Sequence, residues 1–264
     1  MKIAIIGAGN LGKCIAKGLI INNTITTLYL TKRNTNSLEE WKELNNIKVT
    51  SNNIEAVKNS EIIIISVQPN QFEKIGVEIK DYVNERHTII STITGLSIKR
   101  IEKLLGSKVN IIRSMPNTAI SVGKSVTCLC SNEYGKQKLV VAEAIFNNLG
   151  NAFLIEEKNM QAATVICASG IAFWMRLIRA TAQGGIQLGF ESKAALEMSI
   201  YTALGAVTLL SNNDSHPEQE IDKVTTPNGC TIEGLIEMEK QGLSSSLISG
   251  LAASFEKINK ISNK

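Results

Sequence analysis

The sequence lacks the residue patterns that are typical of membrane, secreted and disulfide-rich proteins. No run of about 18 uninterrupted apolar residues occurs, so no membrane-spanning helix is predicted. The first apolar run is short and breaks at a glycine, so we expect no secretory leader. The five cysteines form no Cys-x-x-Cys pair, and an odd number of cysteines without a leader is typical of reduced thiols. We therefore expect a cytoplasmic protein.

Histidine and strong charge are also scarce. The chain has 2 histidines, His87 and His216, so the sequence predicts no metal site. The net charge of +4 is mild and no long Lys/Arg run occurs, so no nucleic-acid partner is expected. A Ser/His/Asp triad signature, a Walker lysine and a His-Glu-x-x-His motif are absent as well. These absences argue against common hydrolase and nucleotidase chemistry.

Short apolar runs alternate with helical patterns through the first part of the chain. Near-continuous apolar strands that alternate with helices predict a parallel sheet covered on both faces. Helices are predicted between the strands at 37–44, 71–82 and 98–105. The predicted strands are 2–6, 27–31, 48–50, 61–67, 87–92, 110–114, 125–130 and 152–155.

The pattern changes near residue 156, after which only helical spacing remains. We therefore predict an α/β fold with an N-terminal Rossmann dinucleotide-binding domain, residues 1–155, and an all-α C-terminal dimerisation domain, residues 156–264. The predicted helices of the second domain are 158–185, 191–212, 231–241 and 244–260.

A glycine motif lies between the first strand and the first helix. Gly7 permits a tight turn, Gly9 lets the backbone approach a pyrophosphate, and Gly12 lets the helix pack closely on the strand. Asn10 and Leu11 begin the helix, where free amides and the positive end of the helix dipole attract phosphate. The motif predicts a dinucleotide site; the alternative is a glycine-rich turn without a ligand.

The end of the second strand carries cations where NAD-selective folds usually place an acidic residue. Lys32 and Arg33 stand there, and no Asp or Glu occurs between Gly18 and Leu38. A pair of cations suits the 2′-phosphate of NADP(H). The alternative is that both are ordinary exposed turn residues.

Three further loops end predicted strands with hydroxyl, amide and proline residues. They contain Gln68 and Pro69, the stretch 91–95, and Pro116 with Asn117. Because ligands of open α/β sheets bind beyond the carboxyl ends of the strands, these loops predict a cradle for the nicotinamide ribose.

A fourth loop lies in the helical domain, at 224–232. Pro227, Asn228 and Gly229 are a strong turn signal, and Gly229 can adopt a positive φ. A helix follows at once, so the amides of Gly229, Cys230 and Thr231 are expected to be free to bind a carboxylate. The alternative is a simple turn at the start of a helix.

The predicted helix 158–185 is rich in alanine, serine and glycine, which let helix backbones approach closely. Small side chains serve either packing inside one subunit or a helix shared between two subunits. The apolar helices of the second domain would leave large exposed patches on a monomer, so the sequence predicts a dimer.

The glycine motif 7–12 and three later segments, in this order, resemble the pyrroline-5-carboxylate reductase family, and the resemblance covers nearly the whole chain. The motifs that carry the resemblance are 113–118 (RSMPNT), 168–173 (ASGIAF) and, above all, 224–231 (VTTPNGCT). The resemblance implies a Rossmann domain and a helical domain that interlocks with its twin, with five dimers often forming a decamer. It also implies reduction of pyrroline-5-carboxylate to L-proline by NADPH, or by NADH, as the last step of proline biosynthesis.

By this resemblance, the amides of Gly229, Cys230 and Thr231 hold the substrate carboxylate, and the Thr231 hydroxyl bonds the ring nitrogen. Pro116 and Asn117 border the nicotinamide. The active site lies between the cofactor of one subunit and the helices of the dimer.

The chain departs from the family pattern at several positions. Gln68 replaces a lysine, Ala119 and Ile171 replace prolines, and Phe173 replaces a tyrosine. Asn228 replaces a glycine and can still adopt a left-handed conformation. Ile171 restores a backbone amide and should straighten its helix. These departures leave two alternatives open: a related NADP-dependent imine or hydroxyacid reductase, and a non-catalytic paralogue. Hydroxyacid dehydrogenases of this architecture commonly need a lysine on the long helix, and 160–185 has none.

Overall fold

The computed structural model describes residues 1–21, 25–212 and 215–262. These residues form two compact units. The sheet unit comprises Met1–Ser169 and Phe255–Lys264, and the helical unit comprises Gly170–Ser254. The units divide inside the long helical stretch that follows the sheet, whereas the sequence predicts a domain boundary after residue 155.

The sheet unit is built on one eight-stranded sheet with the order β3-β2-β1-β4-β5-β6-β7-β8. The first six strands in this order are parallel, as predicted, and the order is that of a Rossmann fold. The expectation of a wholly parallel sheet is wrong at one edge, because β7 runs antiparallel to β6. The strands are β1 (Lys2–Ile6), β2 (Thr27–Thr31), β3 (Ile47–Thr50), β4 (Ile62–Ile65), β5 (Thr88–Ser91), β6 (Asn110–Met115), β7 (Ser125–Ser131) and β8 (Gly150–Leu154).

Helices cover both faces of this sheet. The predicted helix 98–105 is confirmed, 71–82 ends in a 3₁₀ turn, and 37–44 is a 3₁₀ helix, Thr35–Trp41. The second and fifth helices were not predicted. The helices of the sheet unit are α1 (Asn10–Ile21), α2 (Asn53–Lys58), α3 (Phe72–Ile79), α4 (Ile98–Leu105), α5 (Leu139–Asn147) and α6 (Met160–Ala163).

Strand β4 shows how the sheet is buried. Its four consecutive isoleucines are each at most 5% exposed. Ile62 and Ile64 join the core cluster on one face of the sheet, and Ile63 and Ile65 join the cluster on the other. Side chains alternate across a strand, so an unbroken apolar run fits a strand with helices on both sides.

The stretch predicted as one regular helix, 158–185, is interrupted. After α6 the chain forms a six-residue π-helical segment, Thr164–Ser169, and only then continues as α7 (Gly170–Gln187). The expectation of one regular helix is therefore wrong. Single π turns inside α-helices are often found at functional sites.

The helical unit contains the remaining helices. Helices α7 and α8 pack closely where Gly185 faces Ala195, because a Cβ added at Gly185 would lie 3.0 Å from the Ala195 Cβ. The ninth helix, α9, was not predicted; His216 and Pro217 begin it. The helices are α8 (Ser192–Asn212), α9 (Pro217–Lys223), α10 (Cys230–Lys240) and α11 (Leu243–Ser262), the last of which continues into the sheet unit.

By length and composition alone, the stretches Glu157–Gln187 and Ser192–Asn212 are long and apolar enough to cross a membrane. Neither stretch is an uninterrupted apolar run, because polar and charged residues such as Arg176 and Arg179 are scattered through them, and the sequence therefore predicted no membrane-spanning helix. Many of their large apolar side chains are exposed on the single chain. Among them are Trp174, Met175, Ile186, Leu196, Ile200, Tyr201, Leu204 and Val207.

Candidate cofactor and substrate sites

A cavity of about 680 Å³ lies at the carboxyl ends of β1, β2, β4 and β5 in the sheet unit. This is where the strand order reverses, at the position typical of ligand sites in open α/β sheets. Of the residues that the described chain places on its wall, none is an acid. The predicted cofactor residues on the wall are Gly7, Gly9, Asn10, Leu11, Lys32, Arg33, Gln68 and Pro69.

The three motif glycines have three different geometries. Gly7 has φ +94°, and a Cβ there would lie 2.5 Å from the Ser66 carbonyl oxygen. A Cβ on Gly12, which does not line the cavity, would lie 2.6 Å from the Gly7 carbonyl oxygen. A Cβ on Gly9 would meet no atom within 4 Å, because Gly9 borders the open cavity. The glycine at Gly9 thus leaves room for a ligand to approach the backbone.

Helix α1 begins at Asn10, directly at the cavity wall. The amides of the first residues of a helix have no carbonyl partner within the helix. The amides of Asn10 and Leu11 therefore offer donors, at the positive end of the dipole, to an anion in the cavity. A dinucleotide pyrophosphate fits this donor set.

Two residues that the sequence did not indicate organise the cationic end of the cavity. The Lys32 Nζ donates to the Ser37 Oγ (2.7 Å), and the Lys13 Nζ donates to the Ser37 carbonyl oxygen (2.6 Å). With Arg33 on the wall, three cations therefore lie on or near the loop after β2. Lys13 directly follows the glycine motif, so the sequence could have indicated that it lies near the cavity. The position of Ser37 depends on the 3₁₀ helix Thr35–Trp41 and could not have been read from the sequence.

Asn53, at the start of α2, is another wall residue that was missed. The Thr31 Oγ1 donates to the Asn53 Oδ1 (2.7 Å), and the Asn53 Nδ2 donates to the Glu78 Oε2 (3.0 Å). This chain of hydrogen bonds fixes which end of the amide faces Thr31. No sequence pattern joined these three positions.

The loop after β4 brings Gln68 and Pro69 to the wall as predicted. Pro69 begins a 3₁₀ turn, Pro69–Gln71, and the Gln68 amide donates to the Gln71 Oε1 (3.2 Å). Gln68 therefore places a neutral side chain, rather than a cation, at this part of the wall.

The loop after β6 lies outside the wall of this cavity. Pro116 and Asn117 do not line the cavity, and Asn117 is 5% exposed. The Asn117 Nδ2 donates to the Cys167 carbonyl oxygen (3.0 Å), and its Oδ1 accepts from the Ala119 amide (3.0 Å). Asn117 therefore ties the loop to the π-helical segment, and its contact with a nicotinamide stays a prediction.

Arg113, in the motif 113–118, forms an ion pair with Glu157. Its Nη1 lies 2.8 Å from the Glu157 Oε1, and the arginine side chain is only 5% exposed. The same carboxylate oxygen accepts the Ile98 amide (2.8 Å). Glu157 thus joins β6 and the start of α4 to the beginning of the long helical stretch.

The loop 224–232 in the helical unit has a sharper geometry than expected. Asn228, not Gly229, adopts the positive φ, at 57°. Gly229 is extended, with φ −79°, and a Cβ there would lie 2.4 Å from the Thr226 Oγ1. The glycine is needed for space and does not adopt the positive φ that was expected to be open to it, whereas the expectation that Asn228 can adopt a left-handed conformation is confirmed.

The amides at the start of α10 are only partly as predicted. The Gly229 amide donates to the Thr226 carbonyl oxygen (2.9 Å), so it is not free. Cys230 and Thr231 are the first helical residues and are exposed, and no side chain in the described chain caps this helix. Their amides remain as donors to an anion.

The sequence matches two protein-family models. A family model described as pyrroline-5-carboxylate reductase dimerisation matches residues 157–261. A model described as NADP oxidoreductase, coenzyme F420-dependent, matches residues 2–95. Both stretches with membrane-like composition lie entirely inside the dimerisation match.

Several relatives are similar over nearly all of this chain. Pyrroline-5-carboxylate reductase 1 of Dictyostelium discoideum is 44% identical over 97% of the chain, which spans 49% of that relative. Reductase 2 of the same organism is 39% identical, over 98% of the chain and 92% of the relative. The chain thus spans about half of the first relative and most of the second.

Solved structures agree in fold. The Plasmodium falciparum pyrroline carboxylate reductase with NADP bound has a TM-score of 0.89 at 26% identity, covering 99% of this chain and 98% of that one. The Coxiella burnetii pyrroline-5-carboxylate reductase has a TM-score of 0.92 at 28% identity, with 98% and 97% covered.

Proposed function

The chain belongs to the pyrroline-5-carboxylate reductase family, and on that premise we propose that it reduces pyrroline-5-carboxylate to L-proline with NAD(P)H, the last step of proline biosynthesis. The observation that carries this proposal is the coexistence, in one chain, of a cavity lined by the glycine motif and the loop 224–232 with its uncapped helix start.

The cavity residues fit a dinucleotide. Gly9 leaves the space for it, and the amides of Asn10 and Leu11 would hold its pyrophosphate. Lys32 and Arg33 would hold a 2′-phosphate, with Ser37 and Lys13 keeping their loop in place. We therefore propose NADPH as the preferred cofactor over NADH. When bound, this cofactor supplies a hydride to the C=N carbon of the substrate.

The substrate would be held at the start of α10. The amides of Cys230 and Thr231 would bind its carboxylate, and Gly229 would contribute by letting the turn close on Thr226. The Thr231 hydroxyl would bond the ring nitrogen, which helps most while that nitrogen gains electron density. The residues otherwise orient the reactants and exclude water, because a protonated imine is already electrophilic.

The chain carries a dimerisation domain, and oligomer formation follows from it. We propose a homodimer in which the apolar faces of α7 and α8 meet partner helices rather than lipid, with a decamer of five dimers as the larger assembly. We further propose that residues 1–155 and 156–264 are the functional domains, that the site is completed by the partner, and that the protein is cytoplasmic.

The decisive experiment is an NADPH oxidation assay on the purified full chain with pyrroline-5-carboxylate. Binding of NADPH, followed by its fluorescence, and light scattering provide parallel checks that the protein is folded and assembled. We expect proline formation in step with NADPH oxidation, and no oxidation with a 3-oxo acid of similar size. A folded dimer that binds NADPH and turns over neither substrate would be a non-catalytic paralogue. Turnover of the 3-oxo acid alone would indicate a hydroxyacid dehydrogenase.

A further inference from the structure

Two cysteines from distant parts of the chain face each other in the sheet unit. The Sγ atoms of Cys128, on β7, and Cys167, in the π-helical segment, lie 4.0 Å apart. Cys128 is buried and Cys167 is half-buried. Both pack on the same core cluster, on one face of the sheet. The fold thus holds together two thiols that are 39 positions apart in the sequence.

The pair is connected to the wall of the cavity at the strand ends through Met115. Cys128 is the cross-strand partner of Met115 in the pairing of β6 and β7. The Thr94 Oγ1 donates a hydrogen bond to the Met115 Sδ (4.0 Å), and Thr94 lines the cavity. One cross-strand neighbour therefore separates Cys128 from a residue that touches the cavity wall.

Cys167 has a second link, through its backbone. Its carbonyl oxygen accepts the Asn117 Nδ2 (3.0 Å), which ties the π-helical segment to the loop after β6. The Asn117 amide in turn donates to the Ser125 Oγ (3.2 Å), at the start of β7. A movement of Cys167 is therefore transmitted to a loop that the family resemblance places beside the nicotinamide.

We propose that Cys128 and Cys167 form a redox modification site, which a peroxide oxidises to an intramolecular disulfide that lowers turnover until a thiol reductant restores it. Disulfides in the cytoplasm are mostly transient and regulatory, and this pair has the position for such a role.

The environment assigns different parts to the two thiols. The hydrogen bond between the two thiols lowers the pKa of Cys167 to about 7, so Cys167 ionises more readily than Cys128. The same bond, together with burial, raises the pKa of Cys128 far above its usual range. Thiolates are the reactive form, and Cys167 is also the more exposed of the two.

The chemistry balances with a peroxide as the oxidant. The Cys167 thiolate attacks one peroxide oxygen; an S–O bond forms, the O–O bond breaks, and the departing hydroxide takes a proton to become water. Cys128 then loses its proton and attacks the sulfur of the resulting sulfenic acid. The S–S bond forms, the S–O bond breaks, and a second water leaves. Two thiols are oxidised by two electrons, and hydrogen peroxide is reduced to two waters.

The disulfide requires the chain to move. A sulfur–sulfur bond is about 2 Å long, roughly half of the present separation. Because β7 is held by strands on both sides, we expect the π-helical segment to move toward it and to disturb the Asn117 contact. Misplacement by about 1 Å can cost up to about a hundredfold in rate, so we expect oxidation to lower kcat by about threefold or more.

The test uses the reduced full chain, treated with hydrogen peroxide and digested without reductant. Mass spectrometry of the peptides is expected to show a Cys128–Cys167 cross-link, and dithiothreitol is expected to remove it and to restore turnover. Cys128→Ser should leave Cys167 as a sulfenic or sulfinic acid, and Cys167→Ser should leave Cys128 unmodified. The matched control is Cys14→Ser, because Cys14 is also half-buried and has no thiol contact in the described chain.

The peptide measurement is independent of the reductase assay, so it remains informative even if the proposed function is wrong. Oxidation at Cys14 or Cys230 without a Cys128–Cys167 cross-link would overturn the site. A cross-link that forms fully but leaves both kcat and NADPH binding unchanged would overturn its effect on turnover. The proposal is supported if peroxide produces both the cross-link and a reversible loss of turnover in the parent chain and in Cys14→Ser, and neither of them in Cys128→Ser and Cys167→Ser.

Discussion

The four isoleucines of β4 are at most 5% exposed, whereas Leu204 and Val207 of α8 are 57% and 54% exposed on the single chain. Both stretches are strongly apolar. In the described part of the helical unit, the only buried hydrophobic side chains are those of Ala182 and Ala195. The sheet unit therefore encloses its own core, while the helical unit presents its apolar surface outward and needs a partner to cover it.

The same contrast holds for the two candidate sites. The cofactor cavity is assembled from four strand ends of one chain, and its wall is fixed by hydrogen bonds such as those of Ser37 and Asn53. The helix start at Cys230 and Thr231 is exposed and uncapped. We infer that one chain suffices to bind the cofactor, whereas turnover depends on the dimer.

The largest effect is expected from a charge placed on the exposed apolar surface of α8. Leu204→Asp would bury an unpaired carboxylate in the dimer, at a cost of about 3 kcal/mol or more. This raises the dimer Kd by about a hundredfold or more, and activity should fall with it. Light scattering and kcat measure the two effects.

The control for this prediction is Val77→Asp on α3, since Val77 is 56% exposed and Leu204 is 57% exposed. We expect the control to remain a dimer with normal turnover. If Leu204→Asp stays dimeric and active, or if Val77→Asp dissociates as readily, then the exposed apolar surface of α8 is not the dimer interface.

The next effect concerns the two glycines on either side of the start of α1. Gly9→Ala adds a methyl group that meets no protein atom, so the Tm should not change, but the group enters the cavity. Overpacking costs about 1–3 kcal/mol, so the NADPH Kd should rise by about tenfold to a hundredfold. Gly12→Ala should lower the Tm as well, because its Cβ would lie 2.6 Å from the Gly7 carbonyl oxygen. Equal Tm losses in both variants would contradict the assignment of Gly9 to the ligand.

Thr231 tests the substrate side. Thr231→Ala keeps the backbone donors and removes one hydroxyl, so kcat should fall about tenfold or more, with a smaller change in the substrate KM. A hydrogen bond to a charged group, worth about 1.5–3 kcal/mol, sets this scale. Thr231→Ser should retain most of the activity. If the alanine variant turns over at the parent rate, Thr231 only begins a helix.

The smallest effects are expected at the cationic end of the cavity. Replacing Lys32 and Arg33 together by alanine should reduce the preference for NADPH over NADH, measured as kcat/KM, by about tenfold. Lys13→Met should reduce it by only about threefold, because Lys13 reaches the Ser37 carbonyl oxygen rather than the cavity wall. Unchanged ratios in both variants would mean that this loop does not select the cofactor.

The sequence by itself determined the strands, most of the longer helices and the family. Each strand of the sheet lies within a few residues of its predicted position, because short stretches rich in apolar residues between turn signals specify buried strands locally. The glycine motif was also readable from its spacing between a strand and a helix, although the contact that restricts Gly7 comes from Ser66, far along the chain. The exchange of roles between Asn228 and Gly229 shows the limit, because both residues suit a turn and only the backbone path distinguishes them.

Only the tertiary structure decided which distant groups meet. The antiparallel β7, the π-helical segment, the contact of Lys13 with Ser37 and the contact of Cys128 with Cys167 leave no periodic trace in the sequence. Periodicity reports whether a side chain faces a core or solvent, and it does not report which side chain lies opposite. That choice is made by packing between elements, so the cofactor loop could be recognised in advance while the residues that hold it in place could not.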